Sequence, residues 1–318
     1  MNRINKQPTV AGRQAIDRQP TYKRQRFLLA FIRQLNDDIT ATDLQLLVLL
    51  HTMATDSNFY EFVACKQGAY SFQLAADLDI LHNSGYVSID HSSKHAQIKA
   101  VKGHTGNEHA QIKAVKSYTP EHILQIATER GDALLRKAYC EYPYYAINST
   151  TVEQMFCKEE LQQFNEVKRT YIKSGQVLFT LGYEGRSVEA FINALLHNNV
   201  KVLCDVRKNP LSRKFGFSKG KLRHIAQNAG IEYVHIPGLG IESGKRSSLD
   251  TPEDYQRLFS EYAETLPSLG ALLEQVYVLL SLNDRIALMC YEREPERCHR
   301  HVIRDFLTDT YQIQSVDL

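Results

Sequence analysis

The stretch VLFTLGYEGRSVEAFINALL, residues 177–196, decides the fold of this chain. Val177 to Leu181 is a short apolar run of strand type, broken by Gly182 and Gly185. Ser187 stands where a helix N-cap belongs. Behind it Val188, Phe191, Ile192, Leu195 and Leu196 fall on one helical face. The unit then recurs. VKVLCDV (200–206) reads as a second strand, and Ser218 opens a helix that runs through Leu222, Ile225, Ala226 and Ala229 to Gly230. IEYVHI (231–236) is a third strand. Thr251-Pro252 starts another helix, a further one lies near Leu272–Leu282, and RIALMC (285–290) is the last strand, leading into a closing helix. Strands alternating with helices predict an α/β domain over 177–318, a mostly parallel sheet with helices on both faces.

Such sheets bind ligands outside the carboxyl ends of their strands. The polar residues gather at those ends: Gly182-Tyr183-Glu184, Asp205-Val206-Arg207, His235-Ile236-Pro237 and Cys290-Tyr291-Glu292. A ligand pocket is therefore expected there.

Upstream, residues 1–26 have no periodicity and read as a basic arm, with seven Lys/Arg against one acid, Asp17. Phe27–Leu35 and Asp43–Leu50 read as short helices, the second capped by Thr42. Ser71 caps a third, with Leu74, Leu78 and Leu81 on one face and Gly85 as its stop. Tyr86 to Ile89 alternates as a strand. Three helices and a strand pair make a mainly helical, winged-helix-like domain over 27–150. HAQIKAVK occurs at 95–102 and again, identically, at 109–116. Its alternation favours strands, and the spacer GHTGNE permits a hairpin. Identity this complete marks a recent duplication that lengthens a lysine-bearing wing over 95–116. TPEHILQIATERGDALLRKAYCEYPYYAINST closes the region as a helix and an aromatic strap, and residues 151–176 read as a polar helical linker.

Composition bounds the rest. The net charge of +2 conceals segregation, because residues 207–223 hold seven Lys/Arg and no acid. With the arm, that points to a polyanion. No apolar run reaches the roughly 18 residues of a membrane span. No signal-peptide pattern opens the chain, and six scattered cysteines make no disulfide scaffold. A cytoplasmic protein without a membrane partner is expected.

LGYEG, DVRKNPLSRKFGFSK, GIEYVHIPGLG and CYEREPERCHR, in this order, resemble the family called domain of unknown function 488, over about 177–307. Gly182, Tyr183, Asp205, Arg207, Pro210, Gly240, Cys290, Glu292, Cys298, His299 and Arg300 fall on its motif positions. The resemblance implies a fold and a pocket more firmly than a reaction. FYEFVACKQGAYSFQLAADLDILHNSGYV and YPYYAINS resemble the winged-helix-like module of YwgA-type bacterial proteins. The third helix carries Asp77 and Asp79 and no Lys or Arg, which suits phosphates poorly. A protein partner for this module is the competing expectation.

CYEREPERCHRH (290–301) admits three chemistries. Zinc would use Cys290, Cys298, His299 and His301, but the last three crowd one helical turn, so no metal site is expected. A phosphatase-like Cys-x5-Arg is absent, since position 296 is Glu. Cys290 reads as a small buried apolar residue. An anion site remains: Pro295 suits a helix's first turn, whose free N–H groups attract anions, with His299 and Arg300 as added donors.

The expected reader of that pocket is an enzyme acting on DNA or a phosphorylated, nucleotide-like ligand. Asp205, Glu292 and Glu184 are the candidate catalytic carboxylates. Gly182, Tyr183, Arg207, Arg213, Lys214, Lys219, His299 and Arg300 are the candidate substrate- and phosphate-binding residues. No cofactor is expected. Hydrolysis of the N-glycosidic bond of an altered base is the leading expectation, in the manner of a DNA glycosylase. The alternatives are a phosphodiesterase using Asp205 and Glu292 as metal ligands, and a non-catalytic DNA-binding regulator that senses a phosphorylated ligand. Asp205 and Arg207 forming only a structural ion pair is the plain competing account.

Overall fold

A computed structural model describes residues 22–92, 96–101, 120–246 and 249–318. Its C-terminal part is built on a five-stranded sheet: β6 (Val177–Gly182), β7 (Val202–Asp205), β8 (Glu232–His235), β9 (Arg285–Cys290) and β10 (Gln314–Asp317), in spatial order β10-β6-β9-β7-β8. Every neighbouring pair is parallel. Register aligns the carboxyl ends, with Gly182 beside Cys290, Asp205 beside Met289 and Asp205 beside His235. The strand ends therefore form one edge, on which the functional residues collect.

Alternation along the strands fills two cores. Phe179, Leu181, Leu203, Ala287 and Met289 pack on one face against α8 (Val188–His197) and α9 (Lys219–Asn228). Leu178, Val202, Cys204, Ile286 and Leu288 pack on the other against α10 (Pro252–Thr265), α11 (Gly270–Asn283) and α12 (Arg300–Tyr311). Both faces are covered, as a parallel sheet requires. Ser187 caps α8 by accepting from the Ala190 N–H, and Thr251 closes a capping box with Asp254 on α10. β10 is a strand the sequence reading missed. QSVD has a single large apolar residue and lies at the sheet edge, so its pattern is weak.

Of the described helical stretches, Pro252–Asn283 is long and apolar enough, by length and composition, to cross a membrane. It is interrupted by a 3-10 turn at Leu266–Leu269, and its Leu258, Phe259, Leu273, Val276 and Leu280 pack into the sheet's core.

The N-terminal part contains α1 (Lys23–Leu35), β1 (Ile39–Thr40), α2 (Ala41–Thr55), a hairpin of β2 (Val63–Cys65) and β3 (Gly68–Tyr70), α3 (Phe72–Asn83), β4 (Val87–Asp90) and β5 (Gln97–Ala100). A small antiparallel sheet has the order β1-β5-β4. α4 (Pro120–Ile126), α5 (Gly131–Glu141), α6 (Val152–Met155) and α7 (Lys158–Tyr171) follow.

Several expectations need correction here. α1 begins at Lys23, so residues 23–26 belong to a helix: Gln25 is buried, and Arg24 pairs with Asp77 at 2.6 Å. The cap of α2 is Thr40, which accepts from the Asp43 N–H, and not Thr42. The first HAQIKAVK copy supplies the middle strand β5, paired on both sides by β1 and β4. The second copy lies outside the described residues. The segment read as a linker is part of a third core, that of the N-terminal part, where Phe156 and Phe164 meet edge to face at 4.8 Å.

The hairpin β2–β3 ties the two parts together. Val63, Cys65 and Phe72 join the core beneath α8 and α9. The Lys66 N–H donates to the Asn228 carbonyl at 2.9 Å, and Asn193 Nδ2 donates to the Phe62 carbonyl at 2.8 Å.

Candidate functional site

At the carboxyl edge of the sheet, the loop 206–218 and the turn after β9 enclose a cavity of about 460 Å³. Its walls include Tyr183, Arg207, Lys208, Arg213, Lys214, Cys290, Tyr291 and His299. Four cations and two tyrosine rings thus face one space. Five of the expected site residues meet there: Tyr183, Arg207, Arg213, Lys214 and His299.

Arg207 is the anchor. Its Nε and Nη2 donate to the two oxygens of Asp205 at 2.8 and 2.6 Å, and Nη1 donates to the Tyr183 hydroxyl at 3.1 Å and the Phe217 carbonyl at 2.9 Å. Tyr183 stacks on Phe217 with ring centroids 4.2 Å apart. Burial alone would lower the Arg207 guanidinium, but the Asp205 carboxylate outweighs it and holds the charge on. The Lys214 ammonium donates to the Tyr183 carbonyl at 3.0 Å, and burial lowers its pKa.

Asp205, expected as a catalytic carboxylate of the pocket, does not line the cavity. It is fully buried beneath Arg207, and its Oδ2 also accepts from the Tyr233 hydroxyl at 2.5 Å. With both oxygens engaged, it is the ion-pair partner that the plain account describes. Gly182 does not touch the cavity either. A Cβ there would stand 1.8 Å from the Glu292 carbonyl, so the glycine lets the turn after β9 cross β6. Glu184 is exposed and accepts from the Arg293 N–H at 3.0 Å. Lys219 lies off the cavity, 2.9 Å from His235 Nδ1.

The motif CYEREPERCHR folds differently from the expectation. Pro295–Arg297 is a 3-10 turn of its own, Cys298 is extended, and α12 starts at Arg300. The helix N-terminus is therefore set back from Pro295. Arg300 is buried, not directed at the cavity. It donates to Thr180 Oγ1 at 3.1 Å and to the carbonyls of Glu292 and Arg293 at 2.5 and 2.8 Å, clamping the turn onto β6.

That clamp brings Cys290, Cys298 and His299 together in the interior. Among the described residues they are a group of metal-ligating type, which the spacing argument did not anticipate. His301 does not join them; its ring packs edge to face on Phe259 at 4.9 Å. The thiols are not equivalent to the other buried ones. Burial pushes Cys65 and Cys204 up to about 12. Burial would raise Cys298 too, but hydrogen bonds from Cys290 and His299, with the charges of His299 and Arg300, take it well below the ordinary thiol value. Glu292 Oε2 lies 3.4 Å from Cys290 Sγ.

Fold and site together define an α/β sheet region whose strand ends carry a cation-walled cavity. Residues 187–307 match the family model described as Domain of unknown function DUF488. No curated protein matches the chain.

Proposed function

We propose that the cavity binds a phosphorylated nucleotide unit of DNA and that the protein hydrolyses its N-glycosidic bond. The observation that carries this is the convergence of Arg207, Lys208, Arg213 and Lys214 on one 460 Å³ space. Partly exposed Tyr291 offers a ring for stacking a displaced base. With Asp205 committed to Arg207, Glu292, which follows the cavity-lining Cys290 and Tyr291 without lining the space itself, is the carboxylate that would position water or offset positive charge on the sugar. The DNA reading takes the N-terminal elements as a winged-helix module of the YwgA type; the order α1-β1-α2-α3-β4-β5, interrupted by the hairpin β2–β3 between α2 and α3, and the sheet order β1-β5-β4 support it. Asp77 is no obstacle there, because it is buried against Arg24, Gln25 and Tyr60.

The test uses end-labelled single- and double-stranded DNA with natural and altered bases, followed by alkali. Strand breaks that appear only after alkali, and fall roughly a hundredfold or more in Glu292→Gln, are the expected result. Breaks without alkali identify a phosphodiesterase, and intact DNA that shifts on a gel identifies a binder. Either outcome overturns the glycosidic reading.

A further inference from the structure

We propose that Cys290, Cys298 and His299 form a zinc site whose open coordination position faces the cation-walled cavity. Their three donor atoms all lie within 4.8 Å of one another. His299 Nδ1 is 3.7 Å from Cys290 Sγ and 3.9 Å from Cys298 Sγ. Tetrahedral zinc, with Zn–S about 2.3 Å and Zn–N about 2.0–2.1 Å, needs S···N edges of about 3.6 Å and an S···S edge of about 3.8 Å. The two S···N edges are already close to that size, and the S···S edge lies within 4.8 Å.

The tautomer fits as well. His299 Nε2 lies 3.1 Å from the Val206 carbonyl, so it carries the proton and donates there. Nδ1, which faces the thiols, would give up any proton it shares with Cys298 and offer its lone pair to the ion, the outer-shell arrangement that orients ligating imidazoles. Two thiolates and an imidazole are a borderline-soft donor set, which suits zinc over magnesium or calcium. Three protein ligands are one short of a closed tetrahedron. Cys290 and His299 both line the cavity, so the fourth position opens towards it. Glu292, beside Cys290 and outside the triad, is placed to take a proton from water bound there. Two thiolates, an imidazole and a non-ligand glutamate also activate water in zinc deaminases. The ion site stands on its own geometry; its use on a bound nucleotide rests on the function proposed above.

The experiment uses full-length, reduced, chelator-treated protein with no nucleic acid present. Cobalt(II) should bind at one equivalent, with the visible bands of a tetrahedral ion and a thiolate charge-transfer band, and one equivalent of zinc should bleach both. Cys298→Ser should lose the charge-transfer intensity. Should that variant not fold, wild-type protein decides alone: zinc should slow alkylation of Cys290 and Cys298 by at least roughly tenfold. The exposed Cys140 and Cys157 should react at unchanged rates. Absence of a thiolate band, unprotected Cys290 and Cys298, or a Cys290–Cys298 disulfide recovered from zinc-treated protein each overturns the site. Protein that takes zinc but leaves DNA unbound keeps the site and overturns the proposed function. Protein that takes no zinc yet acts on DNA does the reverse.

Discussion

Asp205 and Arg207 stand two residues apart at the end of β7, and their side chains lie 6% exposed or less. A charge pair so deeply buried contributes little in itself, but stranding one partner is costly. Asp205→Asn should therefore destabilise the protein by roughly 3–5 kcal/mol in urea unfolding, because the Arg207 charge loses its counter-ion. Arg207→Met should cost a similar amount. The double variant should cost clearly less than the sum, since it removes both charges. A loss of less than about 1 kcal/mol in Asp205→Asn would mean the charge is not needed by the fold and would restore it as a catalytic candidate. The sequence shows the Asp-x-Arg pair and its place at a strand end, yet not which partner faces the ligand. That is fixed by Tyr233 and Phe217, residues from two other elements that engage the pair from below and beside. The thiols differ in the same way. Cys204, like Cys298, is a buried cysteine near charged residues in sequence, and only the fold brings the Cys290 thiol to Cys298 and turns the neighbouring His299 ring onto both.

Helix α8 shows what an element hides in its own pattern. Its apolar stripe, Val188, Phe191, Ile192 and Leu195, is legible from spacing and is buried as expected. Glu189 belongs to the polar face by the same spacing, yet it is only 1% exposed. The hairpin β2–β3 and the start of α3 cover it, and its Oε1 accepts from the Gln73 N–H at 2.8 Å. Burial, the largest cause, pushes this carboxyl up to about 7, against the lowering pull of the Gln73 bond. A carboxyl raised in the folded state favours folding most when protonated. Its contribution is full below the unfolded pKa near 4.5 and is lost as pH rises through about 7. Glu189→Gln keeps the oxygen that accepts from Gln73 and removes the charge. It should raise the melting temperature at pH 8, by up to about 3 kcal/mol in free energy, and change little at pH 5. Equal effects at both pH values would refute the buried-charge account. The cover over Glu189 is not legible in the sequence because VAC and GAY are too short to carry a period. β10 escaped for a similar reason, whereas β6, β7 and β9, apolar on both faces, did not.

At the scale of the whole molecule, charge and repetition can be separated from folding. Arg213, Lys214, Lys221 and Arg223 ring the loop and helix beside the cavity, and the basic residues before Lys23 lie outside the described part. If phosphates are held there, Arg213→Ala with Lys214→Ala should flatten the salt dependence of DNA affinity by about two counterions, near 0.9 per contact on a log–log plot. An unchanged slope removes the nucleic-acid reading. A truncation made for the same purpose should stop at residue 21, because Arg24 and Gln25 hold Asp77 inside the N-terminal part.

The duplicated HAQIKAVK gives the last test. Excising residues 95–108 removes a copy that contains β5, the middle strand of the β1-β5-β4 sheet, which looks destructive. However, the segment that then follows Lys94 is the second HAQIKAVK, identical at all eight positions, so the strand is restored in sequence and register. Ile98 is the buried residue of that strand, opposite Ile39 on one side and Ile89 on the other. The substituted copy presents the same isoleucine to both. The sequence between the strand and α4 shortens by fourteen residues, from nineteen to five, which changes closure entropy by only about 1.2 kcal/mol. The melting temperature of the excised protein should therefore stay within a few degrees of the parent. Ile98→Asp together with Ile112→Asp, which spoils both copies, should unfold the N-terminal sheet. A large loss of stability on excision would show that the intact tandem is itself a structural element.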